Sequence, residues 1–146
     1  MSQALPYGSW PSPITAASLV QGSASVSELV TDGADVWWSE SRPDEGGRVA
    51  IVAMRGDETH EVTAADANVR TRVHEYGGGA WWVQGGDLYY VDFADQRLRV
   101  KRGDQEPEFL TPEPPAPGAW RYADGRVSAD GAWYVCVREV HHQVPG

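Results

Sequence analysis

One internal repeat constrains this 146-residue chain more than any other feature. Asp35-Val36-Trp37-Trp38-Ser39 returns as Asp87-Leu88-Tyr89-Tyr90-Val91 at an offset of 52. Arg48-Val49-Ala50-Ile51-Val52 returns as Arg97-Leu98-Arg99-Val100-Lys101 at an offset of 49. Arg55-Gly56-Asp57 matches Arg102-Gly103-Asp104 at 47, and Glu61-Val62-Thr63 matches Phe109-Leu110-Thr111 at 48. A third copy opens at Ser128-Ala129-Asp130-Gly131-Ala132-Trp133-Tyr134-Val135. Each unit reads turn, aromatic strand, turn, β-branched strand, Arg-Gly-Asp turn, then a short strand ending in threonine. Several strands within roughly 40–50 residues are the pattern of a propeller blade. A blade cannot bury both of its faces alone, so it stacks on its neighbours. The segments before the aromatic strands, near Ser25–Val30, Gly78–Val83 and Arg126–Ser128, supply the innermost strands.

The expected fold is therefore all-β, a partial β-propeller of about two and a half four-stranded blades. Blade one covers about 25–63, blade two about 78–111, and an incomplete blade three about 120–146. Composition agrees. Sixteen Gly and ten Pro leave little room for long helices, and seven Trp with six Tyr suit half-buried strand faces. Known propellers close with at least about four blades. The chain thus reads as a fragment of a longer protein, with open edges at both ends of the stack. Pro112-Glu113-Pro114-Pro115-Ala116-Pro117 is the loop joining blades two and three.

A net charge of −9 argues against nucleic acid or an anionic membrane as partner, since both select basic surfaces. The single cysteine, Cys136, sits in an apolar strand pattern and reads as a small buried hydrophobe. Without a second cysteine no internal disulfide forms, which fits a reducing compartment. No basic start followed by an apolar stretch marks a signal peptide, and no run approaches a membrane span. A cytoplasmic location is expected.

Two stretches are too specific for generic blade sequence. They are Asn68-Val69-Arg70-Thr71-Arg72-Val73-His74-Glu75-Tyr76-Gly77-Gly78-Gly79-Ala80-Trp81 and Arg121-Tyr122-Ala123-Asp124-Gly125-Arg126-Val127-Ser128-Ala129-Asp130-Gly131. With the opening Pro6-Tyr7-Gly8-Ser9-Trp10-Pro11-Ser12-Pro13-Ile14 and the segment Phe93-Ala94-Asp95-Gln96-Arg97-Leu98, they resemble the N-terminal propeller of bacterial serine peptidases of the prolyl oligopeptidase family, of the dipeptidyl aminopeptidase or acylaminoacyl peptidase type. The resemblance implies a propeller that caps a C-terminal α/β-hydrolase domain, restricts access to short peptides, and needs no cofactor. It also implies that the catalytic serine, aspartate and histidine lie in that hydrolase domain. No Gly-x-Ser-x-Gly elbow occurs in the present sequence, so the catalytic domain is expected to be absent and the chain by itself inactive. The alternative is a non-catalytic propeller that binds proteins or small ligands, because propellers host many functions.

His74-Glu75 does not make a zinc motif, since Tyr76-Gly77-Gly78-Gly79 follows where a helix and a second histidine are needed. Read as extended backbone, Arg70, Arg72, His74 and Tyr76 share one face, and Thr71, Val73 and Glu75 the other. The candidate substrate-binding residues are Arg72, His74, Glu75 and Tyr76, placed near the central channel or the face toward the hydrolase domain. Glu75 could pair with a peptide amino terminus and an arginine with a carboxylate, while inter-blade salt bridges are the competing structural role. The Arg-Gly-Asp triplets read as hairpin turns rather than adhesion motifs, and His141-His142 as a solvated loop. The pairs Trp37-Trp38, Trp81-Trp82 and Tyr89-Tyr90 read as blade packing, one ring on each face.

Overall fold

The computed structural model describes residues 24–75 and 77–141, with Pro6, Gly8, Ile14, Thr15 and Ser18. Tyr76, His142 and the expected end of blade three lie outside the described residues, as does most of the opening segment. From residue 24 onward the regular elements are strands, apart from a 3-10 turn at Pro43–Glu45. Strands β1 (Ser25–Asp32), β2 (Asp35–Arg42), β3 (Arg48–Arg55) and β4 (Glu58–Glu61) form one antiparallel sheet in sequence order. Strands β5 (Trp81–Gln84), β6 (Asp87–Val91), β7 (Leu98–Arg102) and β8 (Glu108–Phe109) form a second of the same design. Strands β9 (Trp120–Val127) and β10 (Tyr134–Val140) pair as a third. β9 starts well before the Arg126–Ser128 segment expected for it, because Trp120, Arg121 and Tyr122 find partners at Val140, Glu139 and Arg138.

The three sheets stack as propeller blades. Across blades, β1 neighbours β5 and β5 neighbours β9, so the first strands converge on a common axis. Between blades one and two, Trp37, Ile51 and Ala53 meet Trp81, Val83, Leu88 and Tyr90 in one buried cluster. Between blades two and three, Val91 and Leu98 meet Tyr122, and the rings of Tyr89 and Tyr134 stack with centroids 5.1 Å apart. Alternation along each strand makes this possible: Trp37 is fully buried, while Trp38 is half-buried and donates its indole N–H to Glu40 Oε1 at 2.9 Å. The aromatic pairs are packing elements, as their spacing indicated.

The structure also explains why the repeat exists. The threonine closing each unit does the same work twice: Thr63 Oγ1 accepts the N–H of Ile51 and Thr111 Oγ1 that of Leu98, both at 3.1 Å. Each caps a strand beyond the end of its outer partner, satisfying a donor that would otherwise lack one. These equivalences set the offset between β3 and β7 at 47, not the 49 read from Arg48 and Arg97. The same 47 relates the two Arg-Gly-Asp turns, where Gly56 and Gly103 adopt left-handed φ of 61° and 51°. Their arginines fold back on the aspartates that open the adjacent strands, Arg55 on Asp35 at 3.1 Å and Arg102 on Asp87 at 3.6 Å.

Antiparallel order puts the hairpin tips at 33–34, 56–57, 85–86 and 103–104 on one rim of the stack. The turns at 43–47 and 93–96 and the blade-to-blade crossing at 62–80 lie on the opposite rim. At the tip rim, the Asp32 carboxylate accepts the N–H groups of Gly85 and Gly86 at 3.0 and 2.6 Å, tying blade one to blade two. At the crossing rim, Glu61 bridges Arg42 and Arg48, and Glu45 joins both arginines. Burial alone would raise the Glu61 pKa, but hydrogen bonds from Arg48 and Arg42 outweigh it and hold the carboxyl below its ordinary value. A depressed acid stabilises the fold above its unfolded pKa and loses that contribution as pH falls through the folded value. Glu61→Gln is therefore expected to cost about 2 kcal/mol at neutral pH, since it leaves the buried Arg48 with only the exposed Glu45 as a charged partner. In urea titrations the gap between variant and parent should close as pH drops below about 4.5. A gap that stays constant into acid would show that the bridge contributes through packing alone.

Candidate functional site

The crossing segment between blades one and two is built to a fixed shape. Asn68 aligns it by accepting the N–H of Val49 on its side chain and that of Phe93 on its carbonyl, at 3.0 and 2.8 Å. Val69 N–H bonds Val49 O at 2.9 Å and pairs across with Asp92. Residues 70–73 then alternate as the sequence suggests: Arg70 and Arg72 are exposed, while Thr71 and Val73 are buried. Thr71 Oγ1 donates to Tyr122 O of blade three at 2.7 Å.

After Val73 the extended reading fails. His74 and Glu75 have left-handed φ of 55° and 62°, and the backbone closes a turn through Glu75 N–H to Arg72 O and Gly77 N–H to Val73 O. A left-handed conformation is costly for residues with a Cβ, so something outside the segment must hold it. That something is Glu139 on β10: its Oε1 accepts the His74 N–H at 2.8 Å and lies 3.3 Å from His74 Nδ1. Its Oε2 meets His141 Nε2 at 2.9 Å. The hydrogen bond with His141, then the one from the His74 backbone, hold the Glu139 carboxyl below its usual range. His74 is thereby turned toward blade three.

Gly78 and Gly79 complete the crossing. Gly79 N–H donates to Glu28 Oε1 at 2.9 Å, and Gly79 O accepts the Asp124 N–H at 2.8 Å. Glu28 and Asp124 occupy bulges in β1 and β9, both with left-handed φ. The innermost strands of all three blades are thus linked through one glycine beside the axis.

Between the crossing and blade one lies a cleft of about 410 Å³, lined by Ser27, Glu28, Arg70, Arg72, Glu75 and Phe93 among others. Both guanidiniums sit over the Phe93 ring, Arg70 at 4.8 Å and Arg72 at 4.3 Å from its centroid. Of the four residues proposed from sequence, Arg72 and Glu75 line this cleft, His74 faces Glu139, and Tyr76 is outside the described residues. Sequence reasoning missed Glu28, Phe93 and the full role of Arg70. Only for Arg70 was a local signal present, its shared face with Arg72. Among the described residues no group of three His, Cys, Asp or Glu side chains is placed to hold a metal ion.

This architecture is that of known peptidases. A puromycin-hydrolysing peptidase of Mycobacterium tuberculosis superposes with a TM-score of 0.86 and 42% identity, over 99% of this chain and 23% of that one. A puromycin hydrolase gives a TM-score of 0.79 and 34% identity over 91% of this chain and 22% of that one. A mutant puromycin hydrolase complexed with PGG gives 0.75 and 35% over 86% and 21%. The chain is a β-propeller segment of the prolyl oligopeptidase family. No protein-family model matches it, and neither does any curated protein. The segment spans under a quarter of the length of the prolyl oligopeptidase family members it resembles. It matches their N-terminal part, so the cleft beside Glu75 lies in the propeller. No helix of the described residues is long and apolar enough to cross a membrane.

Proposed function

We propose that this segment is the substrate-access part of a cytoplasmic serine peptidase that cleaves short peptides, with the reacting residues in an α/β-hydrolase domain outside these 146 residues. The observation that carries the reading is the cleft at the crossing rim, lined together by Glu75, Glu28 and two stacked arginines, on a scaffold 42% identical to a puromycin-hydrolysing peptidase. Glu75 makes no ion pair among the described residues, and its turn is held from blade three by Glu139. A carboxylate without an ion-pair partner beside a concave surface suits the ammonium group of a peptide amino terminus. The propeller contributes orientation and exclusion of bulky substrates, and the hydrolase domain the acyl transfer.

Glu75→Gln, introduced at the matching position of a full-length puromycin-hydrolysing peptidase, tests this. A charge-assisted hydrogen bond of about 1.5–3 kcal/mol corresponds to a rise in KM of roughly ten- to a hundredfold for substrates with a free amino terminus. Amino-blocked substrates should respond little. An unchanged KM for the free-amine substrate would remove Glu75 from the binding role.

A further inference from the structure

We propose that Arg70 and Arg72, racked on Phe93, bind the terminal carboxylate of a short peptide. This rests on reading the cleft as a peptide site and adds to it the class of occupant, a zwitterion with both ends free.

The argument starts from charge. The chain carries 12 Lys and Arg against 21 Asp and Glu, so a cation without an anion nearby stands out. Arg42, Arg48, Arg55, Arg99 and Arg102 each meet a carboxylate. Arg97, Arg121 and Arg126 donate to main-chain carbonyls, and Arg138 lies over Trp120, away from the cleft. The guanidiniums of Arg70 and Arg72 meet neither among the described residues, and both converge on one aromatic ring. Stacking uses the guanidinium face and leaves the N–H edges free, the edges that take a carboxylate in two parallel hydrogen bonds.

The rack is also held rigid. Gln96 is 1% exposed and ties its two halves together. Its Oε1 accepts the Arg72 N–H at 2.7 Å, and its Nε2 donates to Phe93 O at 3.1 Å. Arg121 Nη1 donates to Arg72 O at 3.0 Å from blade three. A buried glutamine spent wholly on the backbones of an arginine and its stacking ring fixes the spacing of those two backbones before any ligand arrives. The cleft volume of about 410 Å³ lies in the range of small-ligand sites and suits a di- or tripeptide. Glu28 and Glu75 on the same cleft oppose a dianion such as phosphate and favour a ligand carrying its own ammonium group.

The 146-residue chain can be titrated with triglycine, with triglycine amide and with inorganic phosphate, following the arginine Nε–Hε resonances by NMR. Triglycine is expected to shift the Arg70 and Arg72 signals and to bind at least tenfold more tightly than the amide. Arg70→Gln with Arg72→Gln should erase that difference while backbone dispersion is retained. The acid-against-amide comparison needs no variant, so it stands even where the double variant folds poorly. Equal binding of acid and amide would overturn the carboxylate assignment and leave the peptide cleft intact. Absence of binding by both would overturn the two readings together. Phosphate binding more tightly than triglycine, with the same dependence on the arginines, would make this an inorganic anion site and overturn the peptide assignment.

Discussion

Gly79→Ala is expected to lower stability by about 3 kcal/mol or more and to loosen blade three from blade two. Two costs add. Gly79 has a φ of +60°, where an L side chain costs about 1–2 kcal/mol. A methyl group there would also overlap the Asp124 carboxylate and lie 3.0 Å from the Asp124 backbone nitrogen. Overpacking of this kind costs about 1–3 kcal/mol. Relief by movement is not cheap, because the same glycine donates to Glu28 and accepts from Asp124, so any shift breaks a hydrogen bond to a neighbouring blade. Urea unfolding of the parent, Gly79→Ala, Asp124→Gly and the double variant would separate the two costs. Asp124 is itself left-handed, with φ 54°, so glycine is tolerated there and removes the overlapping carboxylate. The double variant should recover about 1–2 kcal/mol of the Gly79→Ala loss. Strict additivity of the two substitutions would show that conformation alone, and not contact with Asp124, makes glycine necessary at this position.

Trp37→Ala carries the other large effect, about 3–5 kcal/mol. Trp37 has no exposed surface and sits in the cluster that joins blade one to blade two, against which Val30 and Val62 also pack. Truncation removes the apolar contact and leaves a cavity between two stiff sheets that cannot close over it. The neighbouring Trp38, half-buried and bonded to Glu40, supplies an internal comparison, and Trp38→Ala should cost about 1 kcal/mol. Trp37→Phe should fall between them at about 1–2 kcal/mol. It loses ring volume but also deletes an indole N–H that is buried without a protein partner. Similar losses for Trp37→Ala and Trp38→Ala would contradict the placement of the blade interface on one face of β2.

These variants test links of high sequence separation, and that separation marks the boundary of what the chain shows on its own. Spacing and turn chemistry sufficed for the all-β character, the hairpin tips at Arg55-Gly56-Asp57 and Arg102-Gly103-Asp104, and the repeated threonines. All of these arise from interactions within a blade, where period-two alternation and positive-φ glycines leave local marks. The same marks placed Arg70 and Arg72 on one side of an extended segment. They failed at His74 and Glu75, because the turn there is held by Glu139 on β10, 65 residues further on. They were silent on Phe93 and Gln96, which come to Arg70 and Arg72 only when the blade crossing pairs Val69 with Asp92. They also missed Glu28, which no pattern distinguishes from any other exposed acid until a β-bulge aims it at Gly79. The blades could be read from the chain because their register is set by near neighbours in it. The cleft could not, because its walls come from separate blades and take shape only once buried aromatic faces have brought those blades together.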